Sequence, residues 1–575
     1  MKIKTAAKSL LFICFASLLL LNSLYAQNKR PNFNRTRTYD VQHYVIRVIF
    51  DRAAKRVFGD TTVQLKPLAD GFRQIELDSE EIIYDSVKLE ADGKNLNFRQ
   101  AGKKIQITLD RAYSPKDLIS IRFKYSVRPT RGIYFVSELK NRGEESRAAQ
   151  IWTQGEPEYA HHWFPSYDFP DDKATTEQFI TVEAGETAIG NGELLETIEN
   201  DNGTKTFHFK MPVRHSVYLV SFVVGKHIKV ADKYKNIPLG IYLYPGKEKF
   251  AQTAFGNTKE MMRIFEDLTK IDYPFNKYDQ TIVGNYDEFA AMENITATTL
   301  SDREVFFAEF DFGKSAVEDI VSHELAHSWF GNLVTCRNWA ELWLNEGFAT
   351  FMEAAYREKM YGREQYLEKI RSDVETHFAE GKPRRLRHGL FNQLARPDDS
   401  IFDTTTYQKG GAVIHTLRET IGDKAFWQAI NTYLNRHKFE NVETPDLQRA
   451  MEEASGQKLD WFFAQWVYGG GFPQVEVKQD YNARKKMLTL TVRQTQEADE
   501  LVPAVFILPM DVEIQTPTKT YNEKIKINKR EQIFTFKVNS QPKSIVIDKG
   551  MKIPLMVLKM QTSEGGGAGS ADSPN

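Results

Sequence analysis

The sequence predicts a multidomain chain: an N-terminal all-β domain, a central α+β domain and a C-terminal β-sandwich domain. Two changes of texture predict it. Short apolar runs in alternation, separated by turn residues, give way near Lys226 to helical spacing, and strand-like runs return from Phe472. At 575 residues the chain is long enough for several domains, and its 41% apolar and 12% aromatic composition suits well-packed ones. With 76 basic against 77 acidic side chains there is no electrostatic footprint for nucleic acid. Charged runs such as Lys382-Pro-Arg-Arg-Leu-Arg are short and read as solvated faces.

The parts follow in order. Residues 1–26 read as a signal peptide. Lys2, Lys4 and Lys8 precede an apolar core from Leu10 to Leu21, and Ser23-Leu-Tyr-Ala offers a cleavage site after Ala26. The apolar run is too short, and its flanks too asymmetric, for a membrane span. The expectation is a secreted, periplasmic protein with no stable membrane span after cleavage; an uncleaved anchor is the alternative. Cys14 would leave with the signal, so Cys336 stays alone and no internal disulfide forms. Cys336 reads as a buried small residue.

Residues 27–225 form the β domain, with runs at Val41–Phe50, Ile105–Leu109 and Tyr218–Val224 and turns at Asp92-Gly93 and Asn202-Gly203. Residues 226–471 open on a strand at Leu239–Tyr244. The spacing then predicts a long helix from Phe250 to Thr269 and later helices over Phe426–Arg436 and Leu447–Ala454. Residues 472–558 carry strand runs at Val475–Val477, Met487–Val492, Val505–Leu508, Phe534–Val538 and Ser544–Ile547, the pattern of a small β-sandwich. Residues 559–575 read as a disordered tail, Gly- and Ser-rich from Ser563 on.

The chemistry concentrates in Val321–Phe330, which contains His323-Glu324-Leu325-Ala326-His327. On a helix the two histidines sit one turn apart on one face, so both imidazoles can bind one Zn²⁺, with Glu324 beside them as a base for an attacking water. Lys314 to Gly331 lacks proline, has helix-spaced apolar residues at Val317, Ile320, Val321 and Leu325, and meets a stop at Gly331-Asn332. Asp319 lies one turn earlier on the ligand face. For the bare motif, a buried core helix with backbone-bonded histidines is the competing reading.

A catalytic zinc usually has three protein ligands. Phe330 and Leu333 occupy the positions where a metzincin has glycine and histidine, which excludes that pattern. Downstream, Asn338 to Tyr356 also reads as a helix and offers Glu341, Glu346 and Glu353. Trp339, Leu342, Trp343, Glu346, Ala349 and Glu353 share one face, and Glu341 points elsewhere. A carboxylate on an apolar face is costly unless paired or metal-bound, which selects Glu346 as third ligand. Glu353 either accepts the free N–H of a ligand histidine or is a partly solvated helix carboxylate.

His-Glu-x-x-His followed after 18 residues by the glutamate of Leu344-Asn-Glu-Gly-Phe-Ala resembles the gluzincin aminopeptidases of the aminopeptidase N type, peptidase family M1, whose relatives include leukotriene-A hydrolase. Three further motifs carry the resemblance, which covers roughly residues 40–558. Ala290-Ala291-Met292-Glu293-Asn294 is similar to the family's Gly-Ala-Met-Glu-Asn, whose glutamate binds the substrate α-amino group; Ala290 replaces the first glycine. Thr153-Gln154-Gly155-Glu156-Pro157 resembles a second anchor segment, implying that Glu156 reaches the same amino group and Gln154 lines the pocket. Thr406-Tyr407-Gln408-Lys409-Gly410 resembles the Tyr-x-Lys-Gly motif, implying that Tyr407 donates to a developing oxyanion.

The resemblance implies a thermolysin-like central domain, one Zn²⁺ per chain and peptide substrates with a free N-terminus. Met292 would floor the first side-chain pocket. The alternatives are a thermolysin-type endopeptidase, a bifunctional epoxide hydrolase and aminopeptidase, and a non-catalytic scaffold. The oligomeric state is left open.

Overall fold

The computed structural model describes residues 31–141, 144–286 and 290–562. The expected signal segment, residues 1–26, lies outside the described residues, as does the tail from residue 563. Two units are distinguished. The first ends at Arg35 and is described only from Pro31, without regular structure; the second begins at Thr36 and holds every element below.

The β domain is built on a seven-stranded sheet with Tyr39–Asp51 at its centre, flanked by Arg56–Pro67, antiparallel, and Lys173–Glu183, parallel. Tyr39–Asp51 buries alternate residues (Val41, Tyr44, Ile46, Val48), as a sheet with one covered face requires. A four-stranded sheet contains Gln150–Thr153 between Phe222–Gly225 and Ile133–Val136. Gln150–Thr153 is buried at every position and ends where Gln154 begins, so the sheet fixes the start of the anchor segment. The expected strand at Tyr218–Val224 is split. Val217–Leu219 forms a 3₁₀ turn and only Phe222–Gly225 is extended.

The α+β domain has a five-stranded sheet in the order Ile228–Tyr234, Ile237–Leu243, Tyr278–Val283, Ala297–Ser301, Ala291–Met292. The last pair is antiparallel, Met292 opposite Thr299, and Ala291–Met292 is the edge. The expected long helix from Phe250 to Thr269 is two helices, Phe250–Thr253 and Thr258–Thr269. The break contains Gly256, where the helical pattern lacks a side chain to bury and the backbone is least held.

The histidine-bearing helix spans Asp311–Ala326, and His327 keeps helical angles at its cap, donating its N–H to the His323 carbonyl. The expected helix from Asn338 begins as a 3₁₀ turn, Trp339–Glu341. Asn338 accepts the Ala340 N–H there, and the α-helix proper spans Trp343–Tyr361. The helix Arg363–Glu380 lies against it. The helix Gly410–Ile421 also packs on it, at a close crossing. A Cβ on Gly347 would lie 3.0 Å from the Gly410 Cα, and one on Gly410 2.8 Å from the Gly347 Cα. The two backbones touch only because both positions are glycine.

The C-terminal domain pairs a four-stranded with a three-stranded sheet. Lys559 to Thr562, expected in a disordered tail, extend the strand Val557–Thr562 parallel to Gln474–Asn482. These four residues are therefore not part of a disordered tail, because they find backbone partners on a strand edge. Thr520–Ile527, too polar to stand out in the sequence, is a strand against Leu508–Gln515. Among the described residues, no helix is long and apolar enough to cross a membrane.

Candidate active site and metal centre

One cavity of about 690 Å³ gathers nearly every residue singled out from the sequence. Its wall contains Gln154, Glu156, Ala290, Ala291, Met292, Glu293, Asp319, His323, Glu324, His327, Glu346, Glu353 and Tyr407. These come from segments as far apart as residues 154 and 407, so the fold, not local sequence, makes the site.

The helical spacing does what was expected of it. The Nε2 atoms of His323 and His327 lie 3.2 and 3.3 Å from the same Glu346 oxygen. Each Nδ1 faces an acceptor, Glu353 Oε1 at 2.7 Å for His323 and the Phe330 carbonyl at 2.9 Å for His327. An acceptor at Nδ1 keeps the proton there and turns the Nε2 lone pair toward Glu346, the tautomer a metal ligand needs. Ligand bonds of about 2.0–2.2 Å in a tetrahedral set put neighbouring donor atoms about 3.3–3.5 Å apart. The three donors therefore fit a divalent ion such as Zn²⁺, and all are buried or nearly so.

Glu353 is buried and its second oxygen meets Lys369 Nζ at 2.8 Å, while Lys369 also pairs with Asp373 at 2.6 Å. Of its two readings, the geometry matches the hydrogen-bonded one. Asp319 stands further off: it takes a bidentate pair from Arg357 at 2.7 and 2.5 Å. Its place on the ligand face brings it to the cavity wall, and Arg357 holds it there.

The charges are the most informative feature. Glu156, Glu293, Glu324 and Glu346 are all buried, and no lysine or arginine pairs with them among the described residues. Glu156 Oε1, Glu293 Oε1 and Glu324 Oε2 are buried without a hydrogen-bond partner. Burial, with Glu293 and Glu346 nearby, drives the Glu156 carboxyl well above the usual carboxylate range. Burial pushes Glu324 up to about 8 against the pull of His323 and His327. Burial would raise Glu346 too, but the two imidazoles facing it prevail and hold it at about 2. Desolvated carboxylates in such number are costly without cations. A divalent ion at the histidines and an ammonium between Glu156 and Glu293 would supply them.

The anchor segments are positioned by identifiable contacts. Gln154 donates to Met292 Sδ at 3.1 Å and accepts the Tyr286 hydroxyl at 2.5 Å, tying the β domain to the edge strand. Gly155 passes so close to Tyr218 that a Cβ would stand 2.2 Å from its carbonyl oxygen, so only glycine lets the loop turn in. Glu293 hangs from the edge strand, its carbonyl accepting Asn332 Nδ2 at 3.0 Å. The Ala290 carbonyl accepts the Ser301 N–H at 2.9 Å, so alanine carries the strand pairing at the position of the missing glycine. Asn294, expected to bind substrate, does not line the cavity. It is fully buried and its amide donates to Thr299 Oγ1 at 3.0 Å, because the chain turns inward after the edge strand.

Tyr407 sits in a π-helical turn, Thr405–Lys409, with its ring stacked on His323 at 5.9 Å between centroids. Burial, then Glu346, keeps its hydroxyl protonated well past its ordinary value. Glu341 leaves the site: it lies in the 3₁₀ turn before the helix that carries Glu346 and accepts Thr444 Oγ1 at 2.5 Å. Cys336 is a free, buried thiol.

Sequence reasoning missed Arg131, Asp399, Lys369, Phe402 and Thr350 on the cavity wall. Arg131 and Tyr159 both bind Asp399, at 3.2 and 2.6 Å, bridging the β domain to the α+β domain. Nothing local marks these residues; only the Lys369–Asp373 spacing on one helix gave a signal.

Comparison with known proteins agrees with this architecture. Residues 40–219 match the peptidase M1 N-terminal domain, residues 253–466 the peptidase family M1 domain, and residues 470–570 the TAF2 Ig-like domain. Among curated relatives, Aminopeptidase 2 of Candida albicans is 28% identical over 77% of this chain and 49% of its own length. Aminopeptidase N of Streptomyces lividans is 32% identical over 58% of this chain and 40% of its own. Glutamyl aminopeptidase of Bitis rhinoceros is 30% identical over 66% and 42%. The chain spans about half the length of the curated relatives it matches.

Proposed function

The chain belongs to peptidase family M1, and from that premise we propose that it is a zinc-dependent aminopeptidase that removes the first residue of peptides with a free N-terminus. One observation carries the reading. Two imidazole Nε2 atoms and Glu346 converge in a cavity where Glu156 and Glu293, also buried, have no lysine or arginine partner among the described residues.

His323, His327 and Glu346 would hold one Zn²⁺. When bound, it supplies Lewis acidity toward the scissile carbonyl and acidifies water at neutral pH. Glu324, next to a ligand histidine and with one oxygen unpartnered, accepts a proton from the attacking water and returns it to the leaving amine. Tyr407 donates its hydroxyl to the oxygen that gains charge in the transition state. Glu156 and Glu293 receive the α-ammonium by charge-assisted hydrogen bonds and set the register, so the first peptide bond meets the nucleophile. The edge strand Ala291–Met292 lies beside that position, with Met292 and Gln154 behind it.

Glu324→Gln tests the proton-transfer role. It preserves size and should leave bound zinc at the wild-type level while turnover falls about 10²–10⁴-fold. A variant that keeps its zinc and its full rate would sink this assignment.

A further inference from the structure

Outside that cavity, among the described residues, one more set of two histidines and a carboxylate has converging ligand atoms: Glu80, His161 and His162 in the β domain. We propose that these three residues form a second divalent-metal site, suited to Zn²⁺.

The distances argue for an ion over simple hydrogen bonds. His161 Nε2 and His162 Nε2 lie 3.4 and 3.6 Å from the same Glu80 oxygen. A charge-assisted N–H···O bond is shorter, about 2.7–2.9 Å. Donors around one tetrahedral zinc are spaced about 3.3–3.5 Å apart. The corresponding distances in the active-site set are 3.2 and 3.3 Å. The outer contacts also correspond. His161 Nδ1 is 2.8 Å from Asp168 Oδ2, which also accepts the His161 main-chain N–H at 2.9 Å. That carboxylate keeps the proton on Nδ1 and presents the Nε2 lone pair, as Glu353 does for His323. The two rings stack at 4.7 Å between centroids, placing their edges side by side. His162 Nδ1 is buried without a partner, so no hydrogen bond commits this ring to a tautomer that would block Nε2.

Lys103 Nζ now meets the same Glu80 oxygen at 2.9 Å, but its side chain is 73% exposed. A screened lysine on a flexible stem yields to a divalent ion. Glu80 is itself 25% exposed, which gives the ion a route from solvent. Three protein ligands leave a fourth position for water.

The placement gives the ion a structural part. Glu80 follows the strand Phe72–Asp78, and His161 and His162 lie in the turn Ala160–His162, a few residues beyond Glu156. An ion here would fasten the segment that carries Glu156 to the neighbouring sheet.

Zinc content per chain, measured after equilibrium dialysis against buffered zinc, tests the proposal. Wild type should hold two ions, Glu80→Gln one, and the double variant His323→Ala/His327→Ala one. The ion kept by Glu80→Gln also reports that this variant is folded. Two ions in Glu80→Gln, or one in wild type that vanishes in the histidine double variant, would overturn the second site. A single wild-type ion lost in Glu80→Gln and kept in the double variant would support the second site and remove the active-site assignment instead.

Discussion

Replacing Glu293 by glutamine should separate substrate anchoring from bond cleavage. The substitution keeps shape and removes one charge at a position only 3% exposed, where Oε1 has no partner waiting to take its place. A hydrogen bond to a charged group contributes about 1.5–3 kcal/mol, and burial here favours the upper part of that range. At about 1.4 kcal/mol per factor of ten, kcat/KM on a free aminoacyl arylamide should fall about 10- to 150-fold. The loss should remain partial, because Glu156, whose carboxylate lies close to that of Glu293, is proposed to face the same ammonium. The N-acetylated counterpart carries no ammonium, so its slow hydrolysis should change by less than about threefold. Glu293 also lies 3.9 Å from His327 Nδ1, so zinc content must be measured alongside and should match wild type. Equal losses on the free and acetylated substrates would refute the anchor role, as would an unchanged rate on the free amine.

Three other perturbations follow from the same geometry. Glu353→Ala removes the acceptor at His323 Nδ1 and should weaken zinc binding about 10- to 100-fold, read by competition with a chelator; wild-type affinity would exclude Glu353 as the group that orients His323. Gly410→Ala forces a Cβ to 2.8 Å from the Gly347 Cα and should cost about 1–3 kcal/mol in denaturant unfolding, with lowered turnover because the helix follows directly on the turn of Tyr407; an unchanged midpoint would mean that the helices separate freely. Lys173, buried and pushed down to about 7 by desolvation against weaker support from Cys336 and Glu440, holds fewer protons folded than unfolded between about pH 7 and 10. Stability should therefore rise across that window by on the order of a few kcal/mol, and Lys173→Met should abolish the rise; an equal rise in the variant would assign it elsewhere.

Much of the site was legible because its chemistry follows short-range geometry. Helical spacing puts His323 and His327 on one face, and the cost of a carboxylate on an apolar face singles out Glu346; the packing of the two helices then brings the three together. Motif resemblance was needed for Glu156, a loop carboxylate whose position depends on Gly155 slipping past Tyr218. Asn294 follows four consecutive cavity-lining residues in the motif but does not line the cavity, because the chain turns inward after the edge strand, a change of direction the motif does not mark. Arg131, Tyr159 and Asp399 were invisible, since their contacts span more than two hundred residues and no period links them. In the fold, apolar alternation located most of the buried strands, but the apolar run Val505–Leu508 only leads into its strand, which spans Leu508–Gln515, Thr520–Ile527 has too few apolar residues to register, and Gly256 divided a helix that apolar spacing alone joined.

In the proposed function, one metal centre and one ammonium pocket make this chain an aminopeptidase. Hydrolysis of an aminoacyl arylamide panel and of an N-acetylated peptide should be followed in untreated protein, after chelation, and after zinc is restored. The first residue should be released from free-amine substrates, with that activity lost on chelation and restored by zinc. Cleavage that survives chelation, or that falls on internal bonds of the N-acetylated peptide while free-amine substrates stay intact, would contradict the proposed function.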